Sequence, residues 1–176
     1  VGTGQALALG EKGEADVLLV HAPASEKPLV EKEVAVNRRL IMHNDFIIVG
    51  PKADPVGIKG TGDVITGFKL IYKKGSVFVS RGDDSGTHKK EKEIWAKVGE
   101  VVEPEAEDWY ISVGSGMGDT LRIASEKEGY CLTDRATYLS LKDSLDLELI
   151  IEGDPSLLNI YHVMEINGKK FKTVNA

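Results

Sequence analysis

The order of apolar and amphipathic segments constrains the fold of this chain more than any other feature of its sequence. Apolar runs of strand length, such as residues 15–21 and 76–80, alternate with segments such as 61–74, in which apolar residues recur at the helical period. Two further β-rich runs, 40–42 and 46–49, are expected to be joined across a polar pair. This alternation predicts an α/β fold with mainly parallel or mixed sheets. Because residues 15–21 show no alternation of polar and apolar positions, we expect a parallel strand that is buried on both faces.

Two segments are expected to carry the chain from one lobe to another. Residues 50–57 are rich in Gly and Pro, and residues 159–166 contain a second extended stretch. A chain of 176 residues, of which 41% are hydrophobic, is long enough for one or two compact lobes. The predicted lobes are 1–52 with 160–176, and 53–159.

Composition excludes several classes of partner and site. With 22 Lys and Arg against 28 Asp and Glu, the chain carries a formal charge of −6 and lacks the basic footprint of a nucleic-acid-binding protein. The single cysteine, Cys131, excludes an internal disulfide and a site built from several cysteines, and we expect it to be buried. His21, His43 and His162 are scattered without metal-ligand spacing. We therefore expect no metal, no cofactor and no nucleic-acid partner.

Three loops could bind an anion, because each is rich in Gly, Ser or Thr and leads into a predicted helix. The first N–H groups of a helix have no intrahelical partner, and the helix dipole is positive at that end. Preorganised donors of this kind suit a negatively charged ligand. The three loops are residues 1–5, 80–88 and 114–119.

The loop 80–88 contains the strongest set of donors. Arg81 can donate two hydrogen bonds to neighbouring oxygens of one oxyanion, a geometry that lysine cannot match. Ser85 and Thr87 carry hydroxyl groups, and Gly86 allows the backbone to approach a ligand closely. Asp83 is unusual beside an anion, and we expect it to hold the guanidinium of Arg81 in position.

The other two loops contribute weaker candidates. Met117 and Gly118 can present backbone N–H groups, and Thr3 can donate its hydroxyl. Each loop also has an ordinary structural interpretation as a turn before a helix. In the loop 80–88, Asp84 or Ser85 would then be only the N-cap of the next helix, and Arg81 an exposed charge.

An enzyme is a competing interpretation, because Ser85, His88 and a neighbouring aspartate have the residue types of a nucleophilic triad. Ser85 and His88 lie three residues apart at one helix start, so a contact between them would be local. The sequence places neither a separate oxyanion hole nor an orienting acid. We therefore expect no catalytic residue and no enzymatic activity.

Taken in chain order, six strings of the sequence resemble the tungstate-binding proteins of ABC transporters, within the class that binds molybdate, sulfate and phosphate. Several such strings in order are more specific than any one of them. The spacing Arg-x-Asp-x-Ser-Gly-Thr at residues 81–87 is also similar to the phosphate-binding branch. The strings are Val1–Leu7, Gly10–Asp16, Asn44–Pro51, Phe78–Glu91, Leu132–Arg135 and Glu152–Pro155.

The resemblance implies a two-lobed periplasmic-binding-protein-like fold of type II, with a ligand cleft between two α/β lobes. It implies a solute-binding protein of an ABC importer, which captures a tetrahedral oxyanion, tungstate or molybdate, and delivers it to the membrane permease. The expected location is periplasmic, or extracellular and membrane-anchored. The ligand contacts that the resemblance implies are Arg81, Ser85, Gly86 and Thr87, together with Thr3, Met117 and Gly118.

The sequence departs from the family pattern at both ends. The family begins with a strand and a Thr- or Ser-rich loop and ends in further helices, and neither segment is found here. We therefore expect the first lobe to be truncated at both ends. Two alternative functions stay open at this point, a phosphate- or sulfate-binding protein and the ligand-sensing domain of a transcription regulator.

Overall fold

The computed structural model describes residues 1–99 and 102–175. Its contacts divide the chain into two compact units, Val1–Asn44 with Asn159–Ala176, and Asp45–Leu158. Each unit contains both helices and strands, and the expected α/β class is confirmed. The lobe limits expected from the sequence, at residues 52 and 160, stay a prediction.

In chain order, the described residues form six α-helices and seven strands. The helices are α1 (Thr3–Glu11), α2 (Pro23–Glu31), α3 (Val64–Lys74), α4 (Gly86–Val98), α5 (Met117–Glu126) and α6 (Arg135–Leu141). The strands are β1 (Val17–Val20), β2 (Ala35–Pro51), β3 (Phe78–Ser80), β4 (Tyr110–Ser112), β5 (Cys131–Asp134), β6 (Leu147–Ile151) and β7 (Leu158–Ile166). Short 3₁₀ helices occupy Pro104–Ala106, Lys142–Ser144 and Pro155–Leu157.

The first unit is built on β7, which lies between β1 and β2 in the strand order. β1 pairs with β7 in the antiparallel direction. Leu18 and Val20 of β1 are buried, whereas Val17 and Leu19 are about half exposed. The expectation of a parallel strand buried on both faces is therefore wrong. An uninterrupted apolar run does not show which face is covered, and β1 lies at the end of the strand order.

Helices α1 and α2 supply the rest of the core of the first unit. Helix α2 was not expected, because Pro23 follows closely on the predicted strand 15–21, as a residue that ends a strand does. Pro23 instead lies at the start of the helix, where the missing N–H would have had no intrahelical partner. The core residues of this unit are Leu7, Leu18, Val20, Leu29, Val34, Ala35, Met164 and Ile166.

Strand β2 is one continuous strand of 17 residues, where the sequence predicted two runs. Asn44 and Asp45 are poor strand formers by intrinsic preference, so strand pairing overrides that preference here. Residues 39–43 are exposed, and residues 46–51 are buried. β2 therefore begins in the first unit and ends in the core of the second.

The second unit has a mixed arrangement of strands. The end of β2 pairs antiparallel with β5, where Ile47 lies opposite Thr133, and with β6, where Gly50 lies opposite Glu148. β3 and β4 form a separate parallel pair. The core of this unit consists of two clusters. The larger cluster includes Phe68, Phe78, Ile94, Trp95 and Tyr130, and the smaller one includes Ile47, Val49, Leu121, Cys131 and Tyr138.

The amphipathic pattern near residues 61–74 was predicted correctly as a helix, which begins at Val64. The Asp63 side chain caps it by accepting a hydrogen bond from the N–H of Thr66, at 3.0 Å. Gly75 ends it in the left-handed conformation, at φ 59°. Within residues 1–99 and 102–175, no helix is long and apolar enough to cross a membrane.

Candidate functional site

The parallel pairing of β3 and β4 brings two of the three predicted loops together. Ser80 at the end of β3 lies opposite Ser112 at the end of β4, so both strands run into their loops at the same end. The N–H of Val113 donates to the carbonyl of Ser80 at 3.0 Å, and the N–H of Gly114 donates to the carbonyl of Arg81 at 2.7 Å. The Arg81 loop (residues 81–85) and the Gly114 loop (residues 113–116) are therefore neighbours.

Gly82 is the residue that allows this close approach. Its φ is +59°, in the left-handed region where side chains are strained. A Cβ atom at Gly82 would lie 1.9 Å from the Oγ atom of Ser112. A larger residue would therefore strain the backbone at this position and force the hydroxyl group of Ser112 to move.

Within the Arg81 loop, Asp83 accepts hydrogen bonds with both of its carboxylate oxygens. Nη2 of Arg81 donates to one oxygen, and the N–H of Ser85 donates to the other at 3.2 Å. Burial of Asp83 opposes its charge, yet hydrogen bonds from Ser85 and the charge of Arg81 keep the pKa of this carboxyl below its usual value. The expectation that Asp83 holds the guanidinium of Arg81 is confirmed.

Arg81 keeps one unused donor. Its Nε atom is buried, and it has no hydrogen-bond partner among the residues that the structure describes. It is the one buried side-chain nitrogen or oxygen of the described chain with this property. A buried donor without a partner destabilises the fold by about 1 to 3 kcal/mol, a cost that an accepting ligand oxygen would remove.

Ser85 is the N-cap of α4, as one of the two interpretations of this loop expected. Its Oγ atom accepts a hydrogen bond from the N–H of His88 at 3.3 Å. α4 consequently begins at Gly86, three residues before the start expected from the sequence. Gly86 and Thr87 therefore lie in the first turn, where backbone N–H groups have no intrahelical partner.

His88 has a role in the loop that sequence reasoning missed. Its Nδ1 atom accepts a hydrogen bond from the N–H of Asp84 at 3.0 Å, and Asp84 adopts a left-handed φ of 57°. Burial, together with the positive charge of Lys92, lowers the pKa of His88, so the ring is neutral near pH 7. Because Nδ1 accepts from Asp84, and Ser85 caps the backbone of His88, the ring supports the loop and does not form a dyad with Ser85.

The Gly114 loop leads into α5, which begins at Met117, whereas the sequence predicts a helix from Asp119 to about Lys127. Its N-cap, Gly116, has no side chain to cap the helix. The N–H groups of Met117 and Gly118 lie in the first turn and have no partner within the helix. The carboxylate of Asp119 accepts a hydrogen bond from the Oγ atom of Ser115 at 2.9 Å.

Six of the seven predicted ligand residues lie in these two adjacent loops and the helix starts that follow them. The seventh, Thr3, is the first residue of α1 and belongs to the other compact unit. Its side chain is buried, and Gly2 is the N-cap of that helix. The two neighbouring helix starts in the second unit, beside a guanidinium, have the chemistry of an anion site.

Glu91 of α4 lies behind the Arg81 loop, and sequence reasoning gave it no role. Its carboxylate accepts hydrogen bonds from Ser80 Oγ at 2.6 Å, Tyr110 OH at 2.7 Å and Trp95 Nε1 at 3.3 Å. Only 1% of the residue is exposed. Burial raises the pKa of Glu91 to about 7, although these three hydrogen bonds act in the opposite direction.

The described residues contain no group of three His, Cys, Asp or Glu side chains that could hold a metal ion. Cys131 is fully buried, as expected, and burial raises the pKa of its thiol. His21 and His162 make hydrogen bonds within the first unit, to Asn159 at 2.8 Å and Arg38 at 3.1 Å.

Comparison with known proteins gives a consistent family. Residues 1–175 match the family described as PBP superfamily domain. The chain is 48% identical, over 178 residues, to the tungstate-binding protein TupA of Peptoclostridium acidaminophilum. The alignment includes 100% of this chain and 61% of that relative, so the chain spans less than two thirds of the relative's length.

Two solved structures are similar over almost the whole chain. The tungstate-binding protein TupA of Desulfovibrio alaskensis G20 is 45% identical, with a TM-score of 0.89, and the match covers 99% of this chain and 71% of that one. A tungstate ABC transporter protein of Geobacter sulfurreducens is 45% identical, with a TM-score of 0.82, and the match covers 99% and 73%. The fold and the sequence therefore indicate the same relatives.

Proposed function

The chain belongs to the PBP superfamily, and from this premise we propose that it is part of a solute-binding protein of an ABC importer. The ligand is a tetrahedral oxyanion, with tungstate first and molybdate second. Support comes from the relatives, two of which carry the name tungstate-binding protein at 45 to 48% identity. In this role the protein binds and releases its ligand and does no chemistry on it.

The observation that carries the proposal is the unused donor of Arg81. A buried guanidinium nitrogen without a partner can donate a hydrogen bond to an oxygen of an anion. The N–H groups at the start of α4, shortly after Arg81 in the chain, are held in fixed directions by that helix. Charge-assisted hydrogen bonds of this kind are short and strong. An oxyanion at this position would satisfy several donors at once.

The proposed ligand contacts divide between three helix starts. Arg81 supplies charge, and the residues that open α4 supply hydroxyl and backbone donors. The residues that open α5 add backbone N–H groups. Thr3, at the start of α1, stays a candidate from the sequence. The full proposed set is Arg81, Ser85, Gly86, Thr87, Met117, Gly118 and Thr3.

The proposed selectivity for tungstate over phosphate rests on the hypothesis that no carboxylate faces the anion. Phosphate near neutral pH carries a proton, so a phosphate site benefits from a carboxylate that accepts it, whereas tungstate benefits from donors alone. The Arg81 loop contains two acidic residues. The two oxygens of Asp83 accept hydrogen bonds from Arg81 and Ser85, and the carboxylate of Asp84 accepts one from Nζ of Lys89 at 3.1 Å. We therefore propose a site that binds tungstate or molybdate and largely excludes phosphate.

Importer function also implies a partner and a location. The permease of the importer would receive the anion, and the protein would act outside the cytoplasmic membrane, in the periplasm or anchored to the outer surface. The permease partner and this location both follow from the proposed class of protein. The proposed function involves no nucleic acid.

Calorimetric titration of the full-length protein with tungstate, molybdate, sulfate and phosphate tests the function. We expect tight binding of tungstate and molybdate, and no displacement of tungstate by phosphate at comparable concentration between about pH 6 and pH 8. Phosphate that displaces tungstate under these conditions would assign the protein to the phosphate-binding branch. Absence of binding to all four anions would contradict the proposal.

A further inference from the structure

Glu91 is a buried carboxyl group whose hydrogen-bond partners, within the part of the chain that the structure describes, are three neutral donors. Ser80, Tyr110 and Trp95 donate to it, and none of them carries a positive charge. An ionised carboxylate in the protein interior is normally paired with a cation, because burial without one is costly. This unusual environment needs an explanation beyond packing.

The carboxyl group of Glu91 connects the two ends of the Arg81 loop. Ser80 precedes the loop, donates its hydroxyl hydrogen to Glu91, and accepts a hydrogen bond from the N–H of Gly82 at 3.2 Å. Glu91 itself belongs to α4, four residues after Thr87 and therefore on the same helix face. One side chain thus links the strand before the loop to the helix after it.

Resting on the proposed function above, we infer that Glu91 is a positioning residue for the Arg81 loop and that oxyanion binding is coupled to protonation of its carboxyl group. A bound anion adds negative charge at the start of the helix that carries Glu91. Two like charges in a low-dielectric region disfavour each other, so the bound anion favours the neutral form of Glu91.

The hydrogen bonds around Glu91 transmit the change to the loop. The ionised carboxylate accepts from Ser80 and Tyr110, whereas the neutral carboxyl must donate one hydrogen bond, so a hydroxyl group has to reorient. Reorientation of the Ser80 hydroxyl group changes the hydrogen bond that its Oγ atom accepts from the N–H of Gly82. The backbone of the anion site therefore responds to the protonation of Glu91.

The other groups around Glu91 leave it as the residue that titrates near neutral pH. Burial raises the pKa of Tyr110 on β4 and of Cys131 on β5, so both stay protonated, and the lowered pKa of His88 keeps it neutral. The pKa of Glu91 itself is about 7. Other titratable or charged groups among the described residues of this region are Glu105 in the 3₁₀ helix, Tyr72 on α3 against Trp95, Lys92 on α4, and Arg81, Asp83 and Asp84 in the loop.

The test is the pH dependence of tungstate affinity, measured by calorimetry on the full-length protein between about pH 6.5 and pH 8.5. The unsubstituted protein should lose about sixfold in affinity over this range, the factor that corresponds to a rise of about one unit in the pKa of Glu91 on binding. The affinity of the Glu91→Gln variant should stay constant within about twofold over the same range. Titration near pH 7 in two buffers of different ionisation enthalpy should show proton uptake that Glu91→Gln lacks.

Glu93→Gln is the matched control, because Glu93 lies on the same helix and the substitution removes the same charge. Its side chain is exposed and pairs with Lys90 at 3.0 Å. This variant should keep the pH profile of the unsubstituted protein. A profile that becomes flat in both variants would assign the effect to net charge and overturn the inference.

Two further variants keep the test decisive if Glu91→Gln folds poorly. Tyr110→Phe removes one hydrogen bond to the ionised carboxylate, which should move the midpoint of the pH profile upward. Ser80→Ala removes the connection to Gly82, and its effect on affinity should not be additive with that of Glu91→Gln. Tungstate binding with an identical pH profile in all variants would overturn the inference, whereas a full-length protein that never binds tungstate would refute the proposed function itself.

Discussion

Glu26 in the first unit and Glu91 in the second are both almost completely buried, and their surroundings differ. Glu26 accepts two hydrogen bonds from Arg38, at 2.9 Å and 2.7 Å, and a third from the N–H of Ala22 at 2.8 Å. Glu91 accepts three hydrogen bonds from neutral groups. In a buried pair of a carboxylate and a guanidinium, removal of either partner leaves the other buried and unpaired. A carboxyl group surrounded by hydroxyl and indole donors can exchange its proton at lower cost.

The two arginines differ in the corresponding way. Arg38 uses Nε and Nη2 on one carboxylate oxygen of Glu26, whereas Arg81 uses Nη2 on Asp83 and leaves Nε without a partner among the described residues. The first arrangement is complete within the protein. The second leaves a donor for the proposed oxyanion, which is the difference between a structural ion pair and the proposed binding site.

The largest effect should follow from breaking the complete pair. Arg38→Met removes the guanidinium from buried Glu26 and leaves His162 Nδ1, at 3.0 Å, beside the carboxylate. We expect a loss of about 3 kcal/mol in the free energy of unfolding. Denaturation by urea measures the loss, and Arg39→Met, at an exposed position of the same strand, is the control that should change stability by less than about 0.5 kcal/mol. Equal stability of the two variants would remove the contrast between Glu26 and Glu91.

The next effect concerns ligand affinity and not stability. Arg81→Lys keeps the positive charge but loses the planar fork, so tungstate binding should weaken by about 2 kcal/mol, the value of one charge-assisted hydrogen bond. Titration calorimetry on the full-length protein measures it. Unchanged affinity would make Arg81 a structural partner of Asp83, equivalent to Arg38 in the first unit.

The dependence of stability on pH should distinguish the two glutamates. The pKa of Glu91 is raised to about 7 in the folded chain, so between about pH 4.5 and pH 7 the unfolded chain loses a proton that the folded chain retains. The contribution of Glu91 to the free energy of unfolding therefore falls as the pH rises through this window, and it is constant above it.

Glu91→Gln removes this contribution, which we expect to be about 2 kcal/mol between pH 5 and pH 8. Urea denaturation at several pH values gives the slope for each variant. Glu26→Gln serves as the comparison, since it breaks the pair with Arg38 and should destabilise the protein at pH 8. An identical slope for the unsubstituted protein and Glu91→Gln would show that Glu91 ionises in the folded chain as it does in the unfolded chain.

The smallest effect is expected at the surface. Lys52 and Asp146 form an ion pair at 3.2 Å, with 60% and 89% of their side chains exposed. Asp146→Asn should change the free energy of unfolding by less than about 0.5 kcal/mol, because water and salt screen an exposed pair. A larger loss would mean that removal of a charge destabilises this protein whether or not the charge is buried.

Periodic and strongly punctuated segments of the fold could be predicted from the sequence. Helix α3 combines an apolar face, a capping Asp63 and a terminal Gly75, and these local signals agree with one another. The start of α4 was placed three residues late, because a polar sequence gives no apolar period with which to locate its first turn. Helix α2 was missed since Pro23 is compatible with both the end of a strand and the start of a helix.

For the site, the contact between Arg81 and Asp83 could be predicted because both residues lie within one short loop. Glu91 could not be assigned a role in the same way, since its partners on β3 and β4 are distant in the sequence. It follows a run of lysines, which suggests an exposed helix face. A signal was present, however: Glu91 shares the helix face of Ile94, Trp95 and Val98, where a charged residue is unexpected.

Because Cys131 is fully buried, the reactivity of its thiol measures how often the second unit opens. Because this is the single cysteine of the chain and its thiol is inaccessible, a thiol reagent can react only after β5 has separated from its neighbours. When reclosing is faster than modification, the labelling rate reports the fraction of molecules that are open. A ligand that binds only the closed form slows labelling by the factor 1 + [L]/Kd. The reactivity of this thiol therefore measures binding of the proposed oxyanion without a substitution that introduces a reporter, in the same unit that contains the proposed anion loops.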